Sequence, residues 1–321
     1  MPPRILVVAP NWIGDALMAQ PLLARLREKA PGAKLDVLAP EWVAPVVRRM
    51  PQADEVIATA LRHGALELRA RWKLGRELKA RRYDQAFVLP NTWKSALVPF
   101  FADIPLRSGY VGESRYGLLN LLYRKSEGST PQQYARLAEA PGKASGAPLP
   151  QPRLSVDPER VAAVRARFDL PRDYVVLCPG AEYGPAKRWP YFRELAESFS
   201  MPVVLLGSAN DRDAAQGVPG TDLVGRTSLD EAIDVIAGAR LVVSNDSGLM
   251  HIAAALGRPQ VALFGSSSPL NTPPQSPASR VLWLRVECSP CYQRVCPLGH
   301  FRCMREMTVE RVQQEIDNLA S

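Results

Sequence analysis

A strand that runs directly into a polar turn and then into a helix constrains this chain more than any other feature. The apolar strand Leu241–Ser244 is followed by Asn245, Asp246 and Ser247, and Gly248 precedes the apolar helix Leu249–Leu256. The first amides of such a helix lack backbone partners, and with the helix dipole they attract an anion. The pattern predicts an α/β sheet with an anion site at the end of this strand. A capped turn with a core histidine, His251, fits the same residues.

A second strand-to-helix loop strengthens the ligand interpretation. The apolar strand Tyr174–Leu177 leads into residues 178–190, which are rich in glycine and proline, and a helix is predicted at Tyr191–Phe199. Lys187 and Arg188 place cations in this loop, where a diphosphate could bind. A solvated basic loop is the simpler alternative. Two such loops in one half of the chain favour a single nucleotide ligand.

Strands and helices alternate along both halves of the chain, which predicts right-handed βαβ units and two parallel sheets. The residues 140–152 lack periodicity and are rich in proline and glycine, as in an interdomain linker. We therefore predict an N-terminal domain at residues 1–150, a C-terminal domain at 151–307 and a final helix at 308–320. The predicted strands are Arg4–Ala9, Lys34–Leu38, Glu55–Ala58, Asp84–Leu89, Arg107–Val111, Tyr174–Leu177, Val203–Leu206, Leu241–Ser244 and Gln260–Phe264.

The net charge of +8 and a pI near 9.4 favour anionic partners, such as nucleic acid, a lipid surface or a phosphorylated glycolipid. No nucleic-acid-binding signature is present in the sequence. Seven cations fall on the predicted helix Ala65–Arg82, which is either a solvated face or a patch for the acceptor or a membrane. No apolar run approaches the ~20 residues of a membrane span, and the chain opens on a strand instead of a signal peptide. We therefore expect a cytoplasmic protein.

Four of the five cysteines lie close together near the end of the chain, with His300 among them. Their spacing allows a structural zinc site, although the two later cysteines are farther apart than in compact zinc knuckles. Free thiols packed in a loop are the alternative that we favour, so no metal is predicted. The four are Cys288, Cys291, Cys296 and Cys303.

Several motifs in the same order resemble the lipopolysaccharide heptosyltransferases of glycosyltransferase family nine. They are Asn11-Trp12-Ile13-Gly14-Asp15 through Pro21, the two loops described above, and the cysteine-rich segment from Cys288 to Met304. The resemblance implies a GT-B arrangement of two Rossmann-like domains with parallel sheets facing a central cleft. It also implies that the final helix packs back on the N-terminal domain, and that no metal or organic cofactor takes part.

The reaction implied by the resemblance is an inverting transfer of L-glycero-D-manno-heptose from ADP-heptose to the first heptose of the lipopolysaccharide inner core. The alternatives are transfer to Kdo-lipid A, a sugar-nucleotide epimerase, and a non-catalytic nucleotide-binding protein of the same fold. The implied partners are ADP-heptose, an anionic inner-core acceptor and the cytoplasmic face of the inner membrane, with no nucleic acid.

The same resemblance assigns roles to residues of both domains. Asp15 is implied to be the general base, although the residues alone favour the N-cap of a helix beginning at Ala16. Lys187 is implied to neutralise the departing diphosphate. The implied donor-binding residues are Glu182, Tyr183, Lys187, Asp211, Asp246, Ser247, Gly248 and His251, and Asp211 could instead cap a helix. The candidate acceptor-binding cations are Lys94, Arg107, Arg115 and Arg124.

Overall fold

The computed structural model describes residues 2–143 and 146–320, and the chain divides into two compact units, Met1–Pro152 and Arg153–Ser321. The division lies close to the predicted boundary between residues 150 and 151. The ligand that we assigned to each domain stays a prediction. Ala144 and Ser145 of the predicted linker lie outside the described residues. Within the described ranges, no helix combines the length and the apolar character that crossing a membrane requires.

The first unit is built on a six-stranded parallel sheet with the strand order β3-β2-β1-β4-β5-β6. Val8 at the end of β1 pairs with Leu38 of β2 and Val88 of β4, so the chain leaves these three strands at the same edge of the sheet. The following loops therefore lie together at the carboxyl ends of the strands, where α/β sheets bind ligands. The strands are β1 Arg4–Val8, β2 Lys34–Pro40, β3 Glu55–Thr59, β4 Gln85–Val88, β5 Leu106–Tyr110 and β6 Leu121–Tyr123.

Short helices connect these strands. Two helices that meet at Ala19 follow β1, and the basic helix is shorter than the predicted Ala65–Arg82. The helices are α1 Ile13–Met18, α2 Gln20–Lys29, α3 Ala44–Arg48, α4 Leu68–Lys79, α5 Leu97–Phe101 and α6 Thr130–Arg136.

The second unit repeats the design, with six parallel strands in the order β12-β11-β10-β7-β8-β9. Ser244 of β10 pairs with Cys178 of β7 and with Ala262 of β11, so the two sequence motifs leave adjacent strands at one edge. The strands are β7 Val175–Cys178, β8 Val203–Leu205, β9 Thr221–Asp222, β10 Leu241–Asn245, β11 Gln260–Phe264 and β12 Ser279–Trp283. The helices are α7 Pro158–Arg167, α8 Phe192–Ser198, α9 Arg212–Ala215, α10 Leu229–Gly238, α11 Gly248–Ala255, α12 Arg302–Arg305 and α13 Val309–Ala320.

The final helix α13 packs against β11, β12 and α8 of its own unit. Val312 on this helix is fully buried and belongs to the hydrophobic core that also contains Trp189 and Phe192. The helix is therefore part of the second unit's core. Its predicted packing on the first domain stays a prediction.

Candidate active site

An ion pair joins the two strand-to-helix loops of the second unit. The loop that follows β7, residues 179–188, is called the donor loop below, and it carries Lys187 in a 3-10 turn at Pro185–Lys187. The Lys187 Nζ donates a hydrogen bond of 2.5 Å to Oδ2 of Asp246, which lies between β10 and α11. The side chains are 15% and 5% exposed. A pair this sheltered holds Lys187 in one place, where it can meet an anion.

Two further side chains surround this pair. Ser267, in the loop after β11, donates its hydroxyl to the same Asp246 oxygen at 2.5 Å. The Lys187 ammonium also lies 4.9 Å from the centre of the Tyr183 ring, a distance typical of a cation–π contact. Tyr183 was predicted from the family motif, but nothing in the sequence pattern pointed to Ser267. The structure thus brings Tyr183, Lys187 and Asp246 together, with Ser267 as an additional partner.

His251 lies on α11, one turn after Ser247, and is buried. Burial lowers the pKa of His251 to about 4; the negative charge of Asp246 opposes this change, and the positive charge of Lys187 adds to it. The imidazole is therefore neutral near pH 7, and it can offer a hydrogen bond without adding a second cation to the site.

The turn before α11 lacks the Ser247 capping hydrogen bond expected from the capped-turn alternative. Ser247 occupies the N-cap position, but its side chain makes no capping hydrogen bond to the first turn. Ser247 and Gly248 are partly exposed at this end of the helix. The Ser247 side chain therefore does not occupy the helix N-terminus, and the anion site predicted there stays a prediction.

Asn245 links the two loops, a role that the sequence analysis missed. Its side-chain oxygen accepts the backbone N–H of Trp189 at 3.1 Å, and its amide donates to the carbonyl of Pro179 at 2.8 Å. Asn245 is fully buried, so both hydrogen bonds are sheltered from water. The last residue of β10 thereby fixes both ends of the donor loop.

Asp211 has a local structural role in the described contacts. Its Oδ2 accepts hydrogen bonds from the backbone N–H and the hydroxyl of Ser208, which closes a capping box around the 3-10 turn Ala209–Asp211. Its Oδ1 lies 3.7 Å from Arg188. This geometry favours the capping alternative, and the predicted contact with the donor stays a prediction. Glu182 is exposed in the donor loop, and its role also remains a prediction.

Asp15 lies inside α1, in the first turn, and not at its start. The helix begins at Ile13 and its N-cap residue is Trp12, so the N-cap role that we considered for Asp15 is wrong. The negative charge of Asp15 acts on Tyr134 of α6: burial chiefly raises the pKa of that phenol, and the Asp15 charge raises it further. Asp15 thus lies near a neutral tyrosine, in the first helix after β1.

A pocket opens at the carboxyl ends of the first sheet. Asn11, four residues before Asp15 in the same motif, lines it together with Val8 of β1 and Leu38 of β2. The polar and cationic side chains around it include Lys94, which was predicted, and Arg71, one of the seven cations of the basic helix. Arg62 and His63, which were not assigned to a site, also line it. The rings of His63 and Trp12 lie 5.5 Å apart, so the loop after β3 contacts the loop after β1.

The other predicted acceptor-binding cations lie in different surroundings. Arg115 is 1% exposed, and its guanidinium donates to the carbonyls of Pro90 and Tyr110. Arg107 donates to the carbonyls of Leu118, Ile104 and Gly117. We therefore assign Arg107 and Arg115 to the framework of the first unit instead of acceptor binding. Arg124, just after β6, is exposed, and its role stays a prediction.

The four late cysteines line one small cavity with His300 and Phe301. All four are free thiols. Burial raises the pKa of the Cys303 thiol to about 11. At Cys296 burial acts in the same direction, but backbone N–H groups, including that of Phe301 at 3.4 Å, hold the pKa below its usual value. Across the residues described above, no three cysteine, histidine or acidic side chains are arranged to hold a metal ion.

We expect exhaustive treatment with a metal chelator to leave the melting temperature and the activity unchanged, because packed thiols need no ion. A structural zinc ion would contribute directly to the free energy of folding, so its removal would lower the melting temperature. Elemental analysis of the purified protein should find substoichiometric metal. About one zinc per chain, with chelator-induced unfolding, would show that the packed-thiol interpretation is wrong.

Parallel-sheet α/β units with cation-bearing loops at the carboxyl ends of their strands are typical of enzymes that bind nucleotides. The model of glycosyltransferase family 9 (heptosyltransferase) matches residues 71–302, and the chain belongs to this family. The predicted fold class and the predicted enzyme class, a glycosyltransferase, are confirmed.

Two relatives and one solved structure are similar to this chain over almost its whole length. "Lipopolysaccharide heptosyltransferase 2" of Salmonella typhimurium strain LT2 is 41% identical, covering 99% of both chains. The protein of the same name from Escherichia coli strain K12 is 42% identical over 98% of both. The structure of E. coli ADP-heptose lps heptosyltransferase II superposes with a TM-score of 0.87 at 40% identity, over 98% of each chain.

Proposed function

We propose that this enzyme transfers L-glycero-D-manno-heptose from ADP-heptose to the first heptose of the lipopolysaccharide inner core, with inversion at the anomeric carbon. The names of the two relatives and of the E. coli structure support this donor and this acceptor class. The observation that carries the proposal is the sheltered Lys187–Asp246 pair, which joins two adjacent loops at the sheet edge where nucleotides bind.

In the proposed reaction the second unit binds the donor. The free amides at the start of α11, near Ser247 and Gly248, receive a diphosphate oxygen. Lys187 gains interaction energy as negative charge grows on the departing ADP, which lowers the barrier selectively. His251 is neutral, so it supplies a hydrogen bond and leaves the charge balance to Lys187 and Asp246.

The first unit supplies the base and the acceptor-binding groups. Asp15 takes the proton of the attacking acceptor hydroxyl as the new glycosidic bond forms and the bond to the ADP oxygen breaks. Arg62 and Lys94 line the pocket beside Asn11 and provide the positive charge that an anionic acceptor needs.

The choice of acceptor is tested by mass spectrometry of two acceptors presented with ADP-heptose. We expect a mono-heptosylated inner core to gain one heptose and Kdo-lipid A to remain unchanged. Reaction with Kdo-lipid A alone would establish the alternative in which the enzyme adds the first heptose. Conversion of ADP-heptose to an isomer without any acceptor would establish the epimerase alternative.

We also propose that the enzyme works at the cytoplasmic face of the inner membrane and docks there through α4. Leu68 and Trp72 are 49% and 53% exposed, and Arg76 follows at the same four-residue spacing, so the three share one line of the helix surface. Arg69 and Lys73 lie next to this line and are exposed. An exposed tryptophan and leucine flanked by cations are typical of helices that lie in an anionic lipid surface.

We expect Arg69→Ala combined with Lys73→Ala to weaken binding to phosphatidylglycerol vesicles by about 30-fold, since each cation near such a surface contributes about 1 kcal/mol. Vesicle sedimentation measures the bound fraction, with phosphatidylcholine vesicles as the uncharged reference. The matched control removes two exposed cations of the second unit, Arg193 and Arg240. Equal losses in both double variants would assign the binding to net charge and not to α4.

A further inference from the structure

The cysteine-rich segment of the second unit makes close contact with the donor loop. This segment, Cys288 to Met304, follows β12 and ends in α12. Within it, Arg294 makes three kinds of contact with the donor loop. Its Nε donates to the backbone carbonyl of Tyr183 at 2.9 Å, its guanidinium carbon lies 5.5 Å from the centre of the Tyr183 ring, and its own carbonyl accepts the N–H of Ala186 at 3.1 Å.

Gly184 shows how tightly the two segments approach. A Cβ at this position would lie 2.6 Å from the carbonyl oxygen of Arg294, closer than packed atoms can approach. Its φ of +138° is also a conformation that residues with side chains rarely adopt. The donor loop is therefore shaped to receive the backbone of Arg294 beside Tyr183.

The Tyr183 ring connects Arg294 to Lys187. Both cations lie within cation–π distance of this ring, the guanidinium carbon at 5.5 Å and the Lys187 Nζ at 4.9 Å. The Tyr183 hydroxyl also donates to the carbonyl of Tyr292 at 2.5 Å. The cysteine-rich segment thus holds the ring through its hydroxyl and through Arg294, and the Lys187 ammonium lies against the same ring.

The cysteine-rich segment is in turn fixed to the loop that supports Asp246. The backbone N–H of Tyr292 donates to the carbonyl of Ser266 at 2.7 Å, and the Ser289 hydroxyl donates to the carbonyl of Gly265 at 2.6 Å. The next residue in that loop, Ser267, holds Asp246. The cysteine-rich segment therefore contacts both Tyr183, which packs on Lys187, and the loop containing Ser267, which binds Asp246.

We infer that Arg294 is a positioning residue that acts through Tyr183 to hold the Lys187 ammonium where a nucleoside diphosphate binds. The inference rests on the proposed function, because it names what sets the geometry of the proposed diphosphate site. Arg294 itself is exposed, so its side chain contributes little to the core of the unit. Its carbonyl contact with Ala186 survives any side-chain substitution.

The test measures the affinity for ADP by calorimetry and the KM and kcat for ADP-heptose. We expect Arg294→Ala to weaken ADP binding and to raise the KM by about fivefold to tenfold, as expected when one cation–π contact and one hydrogen bond are lost. Arg294→Lys keeps a cation near the ring and should recover part of this loss. The matched control is Arg285→Ala, which removes another arginine packed on an aromatic ring, at Trp283, outside the donor loop.

A double-mutant cycle separates positioning from a direct contact or a general loss of structure. If Arg294 acts through Lys187, Arg294→Ala should change ADP affinity by less than about twofold in a Lys187→Ala background. An undiminished effect in that background would overturn the inference, as would normal affinity in the single variant. A similar loss in Arg285→Ala would also overturn it. If the unmodified enzyme neither binds ADP nor consumes ADP-heptose, the proposed function fails instead.

Discussion

We expect Asp15→Asn to lower the turnover number by about 10² to 10⁴-fold, the range typical for loss of a general base. The substitution keeps the shape of the side chain but removes its ability to take the acceptor proton. Donor affinity should not change, because in the proposed mechanism ADP-heptose binds to loops of the second unit. A loss in kcat without a loss in donor binding is the signature of an interaction made only in the transition state.

A matched exchange in the same unit controls for the charge change. Asp103→Asn also replaces one carboxylate, but Asp103 lies at the surface and pairs with Arg76 and Lys79 of α4. With a water-soluble acceptor this control should keep normal turnover. Near-normal turnover in Asp15→Asn would show that Asp15 only stabilises the first turn of α1 and that another group is the base.

The second large effect is expected from Lys187→Ala, which should weaken donor binding by about 30-fold or more and also reduce kcat. Removing one partner of a buried charge pair across a binding interface, here Lys187 facing the diphosphate, typically costs about 2 to 5 kcal/mol of binding free energy, and 2 kcal/mol corresponds to about 30-fold. The substitution leaves the Asp246 carboxylate without its ammonium, and this carboxylate then repels the diphosphate. Calorimetry with ADP and steady-state kinetics with ADP-heptose measure the two effects.

Two further variants test whether Lys187 contacts the diphosphate directly. Arg193→Ala removes an exposed cation of α8 that pairs with Glu197, and it should leave donor binding unchanged. Lys187→Met combined with Asp246→Asn removes both charges of the pair. If the double variant still binds poorly, Lys187 contacts the diphosphate directly. Normal donor affinity and turnover in Lys187→Ala would remove this residue from the site.

The sequence predicted the central strands of both sheets because they are apolar runs of strand length between loop signals. It missed three strands, β6, β9 and β12, and all three lie at sheet edges. Two of them have only three and two residues, and β12 is partly exposed, so none shows a continuous apolar pattern. Pairing with a neighbouring strand defines these edges, and that pairing is not visible in a local pattern.

The sequence indicated which residues belong to the candidate site where a local motif contains them. It did not indicate which residues contact each other, because the partners are distant in sequence. Lys187 and Asp246 stand out in their motifs, but their contact joins positions 59 residues apart. Asn245 belongs to the polar turn that could have capped a helix, but its buried side chain binds the backbone of Trp189 and Pro179 instead. A polar residue at a strand end has several possible partners, and only the fold selects one.

The predicted acceptor-binding cations show that a residue's charge alone does not identify its partner. Arg115 was predicted from its charge and its position in a loop, but its guanidinium binds backbone carbonyls in the interior of the first unit. Positive charge in a sequence does not reveal whether an arginine faces a ligand or satisfies buried carbonyls. Arg62 and His63 line the pocket because β3 pairs with β2 and ends beside it. This strand pairing cannot be read from the local sequence around the two residues.

One measurement tests the central claim, that this enzyme couples cleavage of ADP-heptose to an inner-core acceptor. ADP release is followed from ADP-heptose with and without mono-heptosylated inner core, in the unmodified enzyme. Transfer requires the acceptor hydroxyl, so we predict rapid ADP release with the acceptor and only background release without it, with one heptose added per ADP. Equal ADP release in both conditions, or no ADP release in either, would contradict the account.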